Sequence, residues 1–278
     1  MLKLSITIVN YNQKYFPRLC VEALKKSKCD FDFEIIFCDN NSKDESLEYL
    51  KMATAPSGPP KAGINGQAKE GDIKLVEPGK NLGYGSGHNF AAKEAKGKYI
   101  LILNTDITVE PDTLQKLVDY LEKHHDVGMV GPKLVYHNGD VQQSCRRDFR
   151  FFDLFIKRSF LRKIWPFKKR YKKYIMGDFN HASTQEVDLI TGAFMMMPRA
   201  VFDKVGGFDE RYFLFMEDFD LCRKVRKAEY KIVYYPETYA VHYHKRLSEG
   251  SFFKLLFNKI SWYHLASAIK YHWKWRNG

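Results

Sequence analysis

Four short apolar runs, each followed by polar or turn residues and separated by helical patterns, constrain the first 110 residues more than any other feature. Residues 4–9 (LSITIV), 33–38 (FEIIFC), 73–76 and 99–103 (YILIL) have the length and composition of buried strands. Helical patterns occupy 15–26 and 84–95, and a third helix is expected after Ser42, where Asp44-Glu45 supplies cap chemistry and first-turn carboxylates. Pro111 begins a fourth, to about residue 123, at a first-turn position where a missing N–H costs nothing. Strands alternating with helices in this way make an α/β fold with a parallel, doubly wound sheet.

The second half is less regular. Residues 129–136, 186–197, 231–235 and 238–243 read as strands, 217–227 as a helix, and a long helical pattern runs from 251 to the end. Residues 53–72 hold three Pro and four Gly with little to bury, the composition of an inserted mobile loop. No internal repeat is visible.

Composition matters here through charge. Lys and Arg number 45 against 33 Asp and Glu, a net +12, and aromatic residues make up 15 % of the chain. The excess is local: residues 150–174 carry +9 and residues 245–278 carry +6, which leaves the rest at −3. Both basic segments interleave cations with large rings, among them Phe155, Phe160, Trp165 and Tyr171 in the first and Phe252, Phe257, Trp262, Trp273 and Trp275 in the second. Such segments suit the boundary of an anionic membrane, and equally a solvated face over a core. No RNP, KH or zinc-finger signature accompanies them, so nucleic acid is not the expected partner.

Cys20, Cys29, Cys38, Cys145 and Cys222 are odd in number and form no C-x-x-C pair, which fits a reduced, cytoplasmic chain. The opening MLKLSITIVNYN is too short an apolar run for a spanning helix and lacks a cleavage site, so neither an anchor nor a signal peptide is expected.

In an open parallel sheet, ligands bind beyond the carboxyl ends of strands where the strand order reverses. Polar clusters stand at those ends: Asn10-Tyr11-Asn12, Asp39-Asn40-Asn41-Ser42 and Asn104-Thr105-Asp106. Turn chemistry alone explains one such cluster; three at one edge point to a shared ligand site. The loop NLGYGSGHN, residues 81–89, is glycine-rich and precedes a helix, which brings backbone N–H groups close to a phosphate. It is not a dinucleotide fingerprint, because His88 stands where a third Gly is needed, and no P-loop exists elsewhere. Glu217-Asp218 and Asp220 gather at a helix start, delivered by the aromatic run YFLFM; compensation of the helix dipole accounts for acids there but not for that run.

With these pieces in order, the chain resembles the family-2 inverting glycosyltransferases of the GT-A fold, most of all the bacterial rhamnosyltransferase-like branch. The match runs through SITIVNYN, FCDNNSKDES, NLGYGSGHNFAAKEAKGKYILILNTD, VGGFDERYFLFMEDFDLCRKV and YYPETYAVHYH, nearly all of residues 1–245. The resemblance implies a mixed, mainly parallel sheet, with a nucleotide-sugar-binding half over 1–110 and an acceptor half over 111–245 that contains the basic insertion 150–174. A basic, aromatic helical extension over 246–278 follows.

The resemblance also assigns roles. Asn10, Asn12, Asp39 and Asn41 match positions that hold the base and sugar of a nucleotide donor, and Asn81, Gly83 and Asn89 match the loop closing over it. Asn104, Gly192 and Glu217 fall among the substrate-binding positions. Asp106 matches the last carboxylate of a metal-binding D-x-D motif whose first position is Asn104 here, and His242, with His244 as an alternative, matches a histidine near the metal. Asp218 matches the general base. The chemistry asks for these parts: a Mg or Mn ion on hard oxygen ligands steadies a departing diphosphate, and a carboxylate takes the proton of the attacking hydroxyl. The implied partners are a deoxythymidine-diphosphate rhamnose or UDP-sugar donor, a glycan or lipid-linked glycan acceptor, and an anionic membrane surface at the inner face of the cell membrane. A polyprenyl-phosphate glycosyltransferase and a silent nucleotide-sugar or nucleic-acid binding module remain as alternatives.

Overall fold

The structure is a computed structural model that describes residues 2–54, 73–148, 156, 160–243 and 259–276. Its first half runs β1 (Leu4–Asn10), α1 (Phe16–Lys25), β2 (Phe33–Asp39), α2 (Ser46–Thr54), β3 (Ile73–Val76), α3 (Tyr84–Ala92), β4 (Tyr99–Asn104), β5 (Ile107–Val109), α4 (Thr113–Lys123) and β6 (Val127–Val135). The second half follows with β7 (Cys145–Arg146), a 3-10 turn (Phe160–Lys163), α5 (Phe167–Tyr174), β8 (Gln185–Glu186), β9 (Leu189–Ile190) and β10 (Phe194–Pro198). It closes with α6 (Arg199–Lys204), α7 (Glu217–Lys227), β11 (Lys231–His242) and α8 (Lys259–Trp275).

The main sheet has the order β3-β2-β1-β4-β10-β6-β11-β5, with β8 also on β11. Strands β3, β2, β1 and β4 are parallel. The chain steps outward from β1 to β3 and then returns to place β4 on the other side of β1, so the strand order reverses between β1 and β4. Beyond β4 the sheet is mixed: β10 is antiparallel to β4 and β6, β11 is parallel to β6, and β5 is antiparallel to β11.

Alternation along β1 shows why the sheet is buried on both faces. Leu4, Ile6 and Ile8 pack with Cys20, Val21 and Leu24 of α1 and Leu114, Leu117, Val118 and Leu121 of α4. The opposite face holds Ser5 and Thr7, both buried, whose hydroxyls are satisfied by Glu34 Oε1 at 2.6 Å and His88 Nδ1 at 2.9 Å. On that side Ile100, Ile102, Met195 and Met197 pack under Phe202, Leu221 and Val225 of α6 and α7, with Tyr271 of α8 in the same cluster. All five cysteines are buried and unpaired.

Several boundaries differ from the sequence reading. Helix α2 starts at Ser46, where Asp44 Oδ1 accepts from the Ser46 N–H, because the Ser42 hydroxyl accepts instead from the Asn10 side chain and the Asn12 N–H. Helix α4 starts at Thr113, two residues after Pro111. The single strand expected over 186–197 is three segments in two sheets, broken at Gly192, whose N–H leaves the ladder for Asp218. Conversely, the two strands expected over 231–243 are one strand with a register shift between Tyr235 and Tyr239, a span containing Pro236, which has no N–H to give a ladder. The loop expected over 53–72 begins as the end of α2, and its residues 55–72 lie outside the described residues, as do 251–258 of the expected terminal helix.

Candidate functional site

Topology gathers the polar strand ends at one edge. In the first cluster the Asn10 amide lies 2.7 Å from Asp39 Oδ1, 3.0 Å from Ser42 Oγ and 2.8 Å from Ser46 Oγ, while Asp39 Oδ2 accepts the Ser42 N–H at 2.9 Å. Both Asn10 and Asp39 are buried, so they shape the cluster, whereas Asn12 and Asn41 are its exposed members. Those two adopt left-handed conformations (φ 53° and 65°), which asparagine tolerates better than most residues. Asn40, passed over as a site residue in the sequence, is buried and donates to the Gly83 carbonyl at 2.8 Å, tying this cluster to the glycine-rich loop.

That loop is set by contact rather than by open space. Gly83 has φ 86°, and a Cβ there would stand 2.1 Å from the Phe213 carbonyl oxygen, which also accepts the Tyr84 N–H at 3.0 Å. Asn81 Oδ1 closes the turn by accepting the Gly83 N–H. Asn89 has both ends of its amide on Phe208: it donates to the carbonyl and accepts from the N–H, each at 2.9 Å. It therefore fixes the 207–210 loop against α3. His88 is a core residue held neutral, its pKa pushed down to about 3 by burial.

The antiparallel pairing of β10 with β4 brings Gly192 beside Asn104, whose N–H donates to Ala193 O at 2.9 Å. Tyr84 bridges them, with its hydroxyl 2.6 Å from Gly192 O and 2.9 Å from the Asn104 side chain. The phenol has one proton, which the shorter contact assigns to Gly192 O, with Asn104 Oδ1 as the second oxygen within reach. Burial first, and then the neighbouring acids Glu217, Asp218 and Asp106, hold the Tyr84 hydroxyl well above its ordinary range and keep it a donor.

Gly192 faces Asp218 on its other side. Asp218 Oδ2 accepts the Gly192 N–H at 3.1 Å and Oδ1 accepts the Phe219 N–H at 2.9 Å. A Cβ on Gly192 would lie 3.2 Å from Asp218 Cβ, so the lack of a side chain permits this approach. Helix α7 begins immediately after Phe215 and Met216, two consecutive non-glycine residues at φ 68° and 71°. Each costs about 1–3 kcal/mol and persists only where packing over-determines it. Burial, and then the neighbouring Asp218, push Glu217 well above the usual carboxylate range. Glu217 is thus a buried acid held neutral beside the half-buried Asp218.

The third component is the pairing of β5 with β11, which sets His242 opposite Ile107 and next to Asp106. His242 Nε2 is 3.3 Å from Asp106 Oδ1, and Nδ1 is 2.8 Å from Gln142 Oε1. Because Gln142 Oε1 only accepts, Nδ1 donates to it, and Nε2 is the ring nitrogen that faces the carboxylate. An imidazole nitrogen beside a carboxylate is a donor pair for a cation, and the combination suits Mg or Mn. Among the described residues no group of three or more His, Cys, Asp or Glu could hold a metal, so water and ligand oxygens would complete the shell. His244 lies outside the described residues.

The structure thus links Asn104, Gly192, Glu217 and Asp218 through Tyr84 and the short α7 entry, and links Asp106 with His242. Tyr84, Gln142 and Asn40 are the members that sequence reasoning missed. Asn40 had a visible signal, its place in the polar cluster after β2, and so did Tyr84, directly after Gly83 at a helix start; Gln142 had none.

Comparison with known proteins identifies the family and the fold. The model for glycosyl transferase family 2 matches residues 5–206. The N-acetylglucosaminyl-diphospho-decaprenol L-rhamnosyltransferase of Mycobacterium tuberculosis is 27 % identical over 230 residues, 78 % of this chain and 68 % of that one. Rhamnosyltransferase WbbL of Escherichia coli is 30 % identical over 196 residues, covering 68 % of this chain and 69 % of its own. Among solved structures, the mannosyltransferase PcManGT from Pyrobaculum calidifontis in complex with GDP-Man and Mn2+ superposes with TM-score 0.58 at 17 % identity, over 88 % of this chain and 58 % of that one. S. aureus TarS in complex with UDP-GlcNAc gives TM-score 0.57 at 19 % identity, over 90 % of this chain and 60 % of that one. The chain therefore spans about three-fifths of these two structures, and the likeness shows a shared fold. The family match ends before α7, so Asp218 and His242 rest on the geometry above.

Proposed function

The chain belongs to glycosyl transferase family 2, and we propose that it moves a sugar, with inversion, from a nucleotide diphosphate donor to a hydroxyl of a lipid-linked glycan in cell-surface polysaccharide synthesis. The observation that carries this reading is the convergence of Asp218 and the Asp106/His242 pair on the edge where Tyr84 joins Gly192 to Asn104. Asp218 takes the proton from the acceptor hydroxyl as that oxygen attacks the anomeric carbon from the face opposite the diphosphate. The bond from that carbon to the diphosphate oxygen breaks, and the diphosphate departs with the electron pair. Glu217, neutral beside Asp218, keeps a second negative charge away from the attacking oxygen. Asn12, Asn41 and the loop from Asn81 to Asn89 face the donor. Asp106 and His242 would hold a divalent cation, Mg or Mn, whose chemistry is to neutralise charge gathering on the diphosphate.

By likeness to the two rhamnosyltransferases, the leading donor is deoxythymidine-diphosphate rhamnose and the leading acceptor a polyprenyl-diphosphate sugar. No helix among the described residues is long and apolar enough to cross a membrane. The test is product analysis of the purified chain with this and other nucleotide sugars, offering a polyprenyl-diphosphate glycan and a bare polyprenyl phosphate in parallel. A lengthened glycan with inverted configuration at the transferred sugar supports the reading. A sugar placed directly on the lipid phosphate, or no turnover with any donor, overturns it.

A further inference from the structure

The C-terminal helix α8 has two faces with different tasks. Its inner face grips the loop that delivers Asp218. Ser267 Oγ donates to Leu214 O at 2.9 Å, Lys270 Nζ to Arg211 O at 2.7 Å, Lys274 Nζ to Asp209 Oδ2 at 2.7 Å and Asp220 Oδ2 at 2.8 Å, and Trp275 Nε1 to Asp220 Oδ1 at 2.8 Å. Tyr263 stacks near Phe213 and His264 near Phe215, with centroids 4.6 and 4.8 Å apart.

The outer face is apolar and turned to solvent. Trp262 (58 % exposed), Leu265 (47 %), Ile269 (45 %) and Trp273 (63 %) recur at intervals of three and four residues, the spacing of one helical stripe. Arg276 lies over the Trp273 ring at 4.2 Å, and the helix contains no Asp or Glu. A second surface repeats this chemistry: Phe160, Ile164 and Trp165 are exposed beside Lys163, Lys168, Lys169, Lys172 and Lys173, again with no acid between 160 and 174.

We infer that the Trp262–Leu265–Ile269–Trp273 stripe of α8 seats in the headgroup boundary of an anionic bilayer, with the basic surface around α5 adding electrostatic attraction. Charge complementarity selects this occupant: an apolar stripe ended by tryptophans, with Arg276 over the last ring and no acid along the helix, matches the acyl boundary and the anionic headgroups together. Geometry supports it as well. The residues gripped by the inner face, Leu214 and Asp220, flank Asp218 in sequence, so a bilayer on the outer face lies about one helix diameter, roughly 10 Å, from the base-bearing segment. That is where the diphosphate head of a lipid-linked acceptor would emerge. The inference rests on the lipid-linked acceptor proposed above, yet its test needs neither donor nor acceptor.

The experiment is cosedimentation of the full chain with vesicles of phosphatidylcholine alone and of phosphatidylcholine with about a third phosphatidylglycerol. Wild type is expected on the anionic vesicles, and Leu265→Ser/Ile269→Ser/Trp273→Ser to bind them at least tenfold more weakly with an unchanged melting temperature, since all three side chains are exposed. Changing Lys168, Lys169, Lys172 and Lys173 to Gln should weaken binding further and remove its salt dependence. Vesicle binding that survives the stripe variant, or its absence in wild type, overturns the inference. So does a wild-type dimer that the stripe variant dissolves, because the occupant would then be a second copy of the chain.

Discussion

The Tyr84 hydroxyl donates to the Gly192 carbonyl across 2.6 Å, joining residues 108 apart in sequence, and the N–H of the same glycine donates to Asp218. One peptide segment thus receives a proton on one side and gives one on the other. Tyr84→Phe is expected to fold with a loss of about 1 kcal/mol, one net hydrogen bond. Turnover should fall tenfold or more with donor KM little changed, because Asp218 loses a fixed neighbour. Thermal melts and steady-state kinetics check both parts, and unchanged turnover would show that Gly192 is held well enough without the phenol.

Asp218→Asn keeps the shape and accepts one backbone N–H as before, but has no basic oxygen for the acceptor proton. Transfer should drop by about two to four orders of magnitude, the range for losing a general base, while stability falls by no more than the one lost hydrogen bond, about 1 kcal/mol. A rate close to wild type would remove Asp218 from that role.

Gln142→Leu leaves Asp106 and His242 in place and takes away only the acceptor that fixes the His242 tautomer. Such outer partners commonly contribute about 10–100-fold to metal affinity, so titration with Mn in the presence of nucleotide diphosphate should weaken by that order. Asp106→Ala should weaken it further. Identical titration curves for all three proteins would place the cation elsewhere.

Lys274→Met leaves Asp220, fully buried, with Trp275 and Tyr212 as its side-chain donors among the described residues. Removing one partner of a buried ion pair costs about 3 kcal/mol, and here it also loosens α8 from α7. A clear fall in melting temperature is expected, with partial recovery in Lys274→Met/Asp220→Asn, where the stranded charge is gone. Equal stability of the single and double variants would contradict this pairing.

His88 is packed against Thr7 and the Tyr84 and Phe208 rings, and its folded pKa of about 3 lies below the ordinary 6.5. Between those values the unfolded chain binds a proton that the folded chain refuses. Stability is therefore fully present above about pH 6.5 and falls as pH drops toward 3, by at most about 1.4 kcal/mol per pH unit. Glu217, raised by burial, contributes with the opposite sign. The comparison that isolates the histidine is wild type against His88→Leu: the stability gap should shrink as pH falls from 6.5, and a constant gap would count against a neutral buried ring.

Much of the fold was legible because the four parallel strands are buried on both faces and appear as continuous apolar runs bounded by turn chemistry. The clusters after β1, β2 and β4 were legible for the same reason: a strand end in such a sheet must turn, and the turn stands at the ligand edge. The strands after 186 were misread. Gly192 looks like one more residue of an apolar stretch, and nothing local reveals that its N–H is directed at a carboxylate 26 positions away.

The sequence by itself determined the alternating sheet, the polar edge and the acids at the head of α7, since each follows from periodicity or local backbone chemistry. It also located the basic, ring-rich segments without distinguishing core from surface. Only the tertiary structure decided that Asn10 and Asp39 are buried and bonded to each other and that Gln142 stands against His242. It alone divided α8 into a face that grips the Asp218 loop and a stripe left to solvent. The physical reason is that these are pairings across strands and helices remote in sequence, chosen by which surfaces remain when the sheet closes.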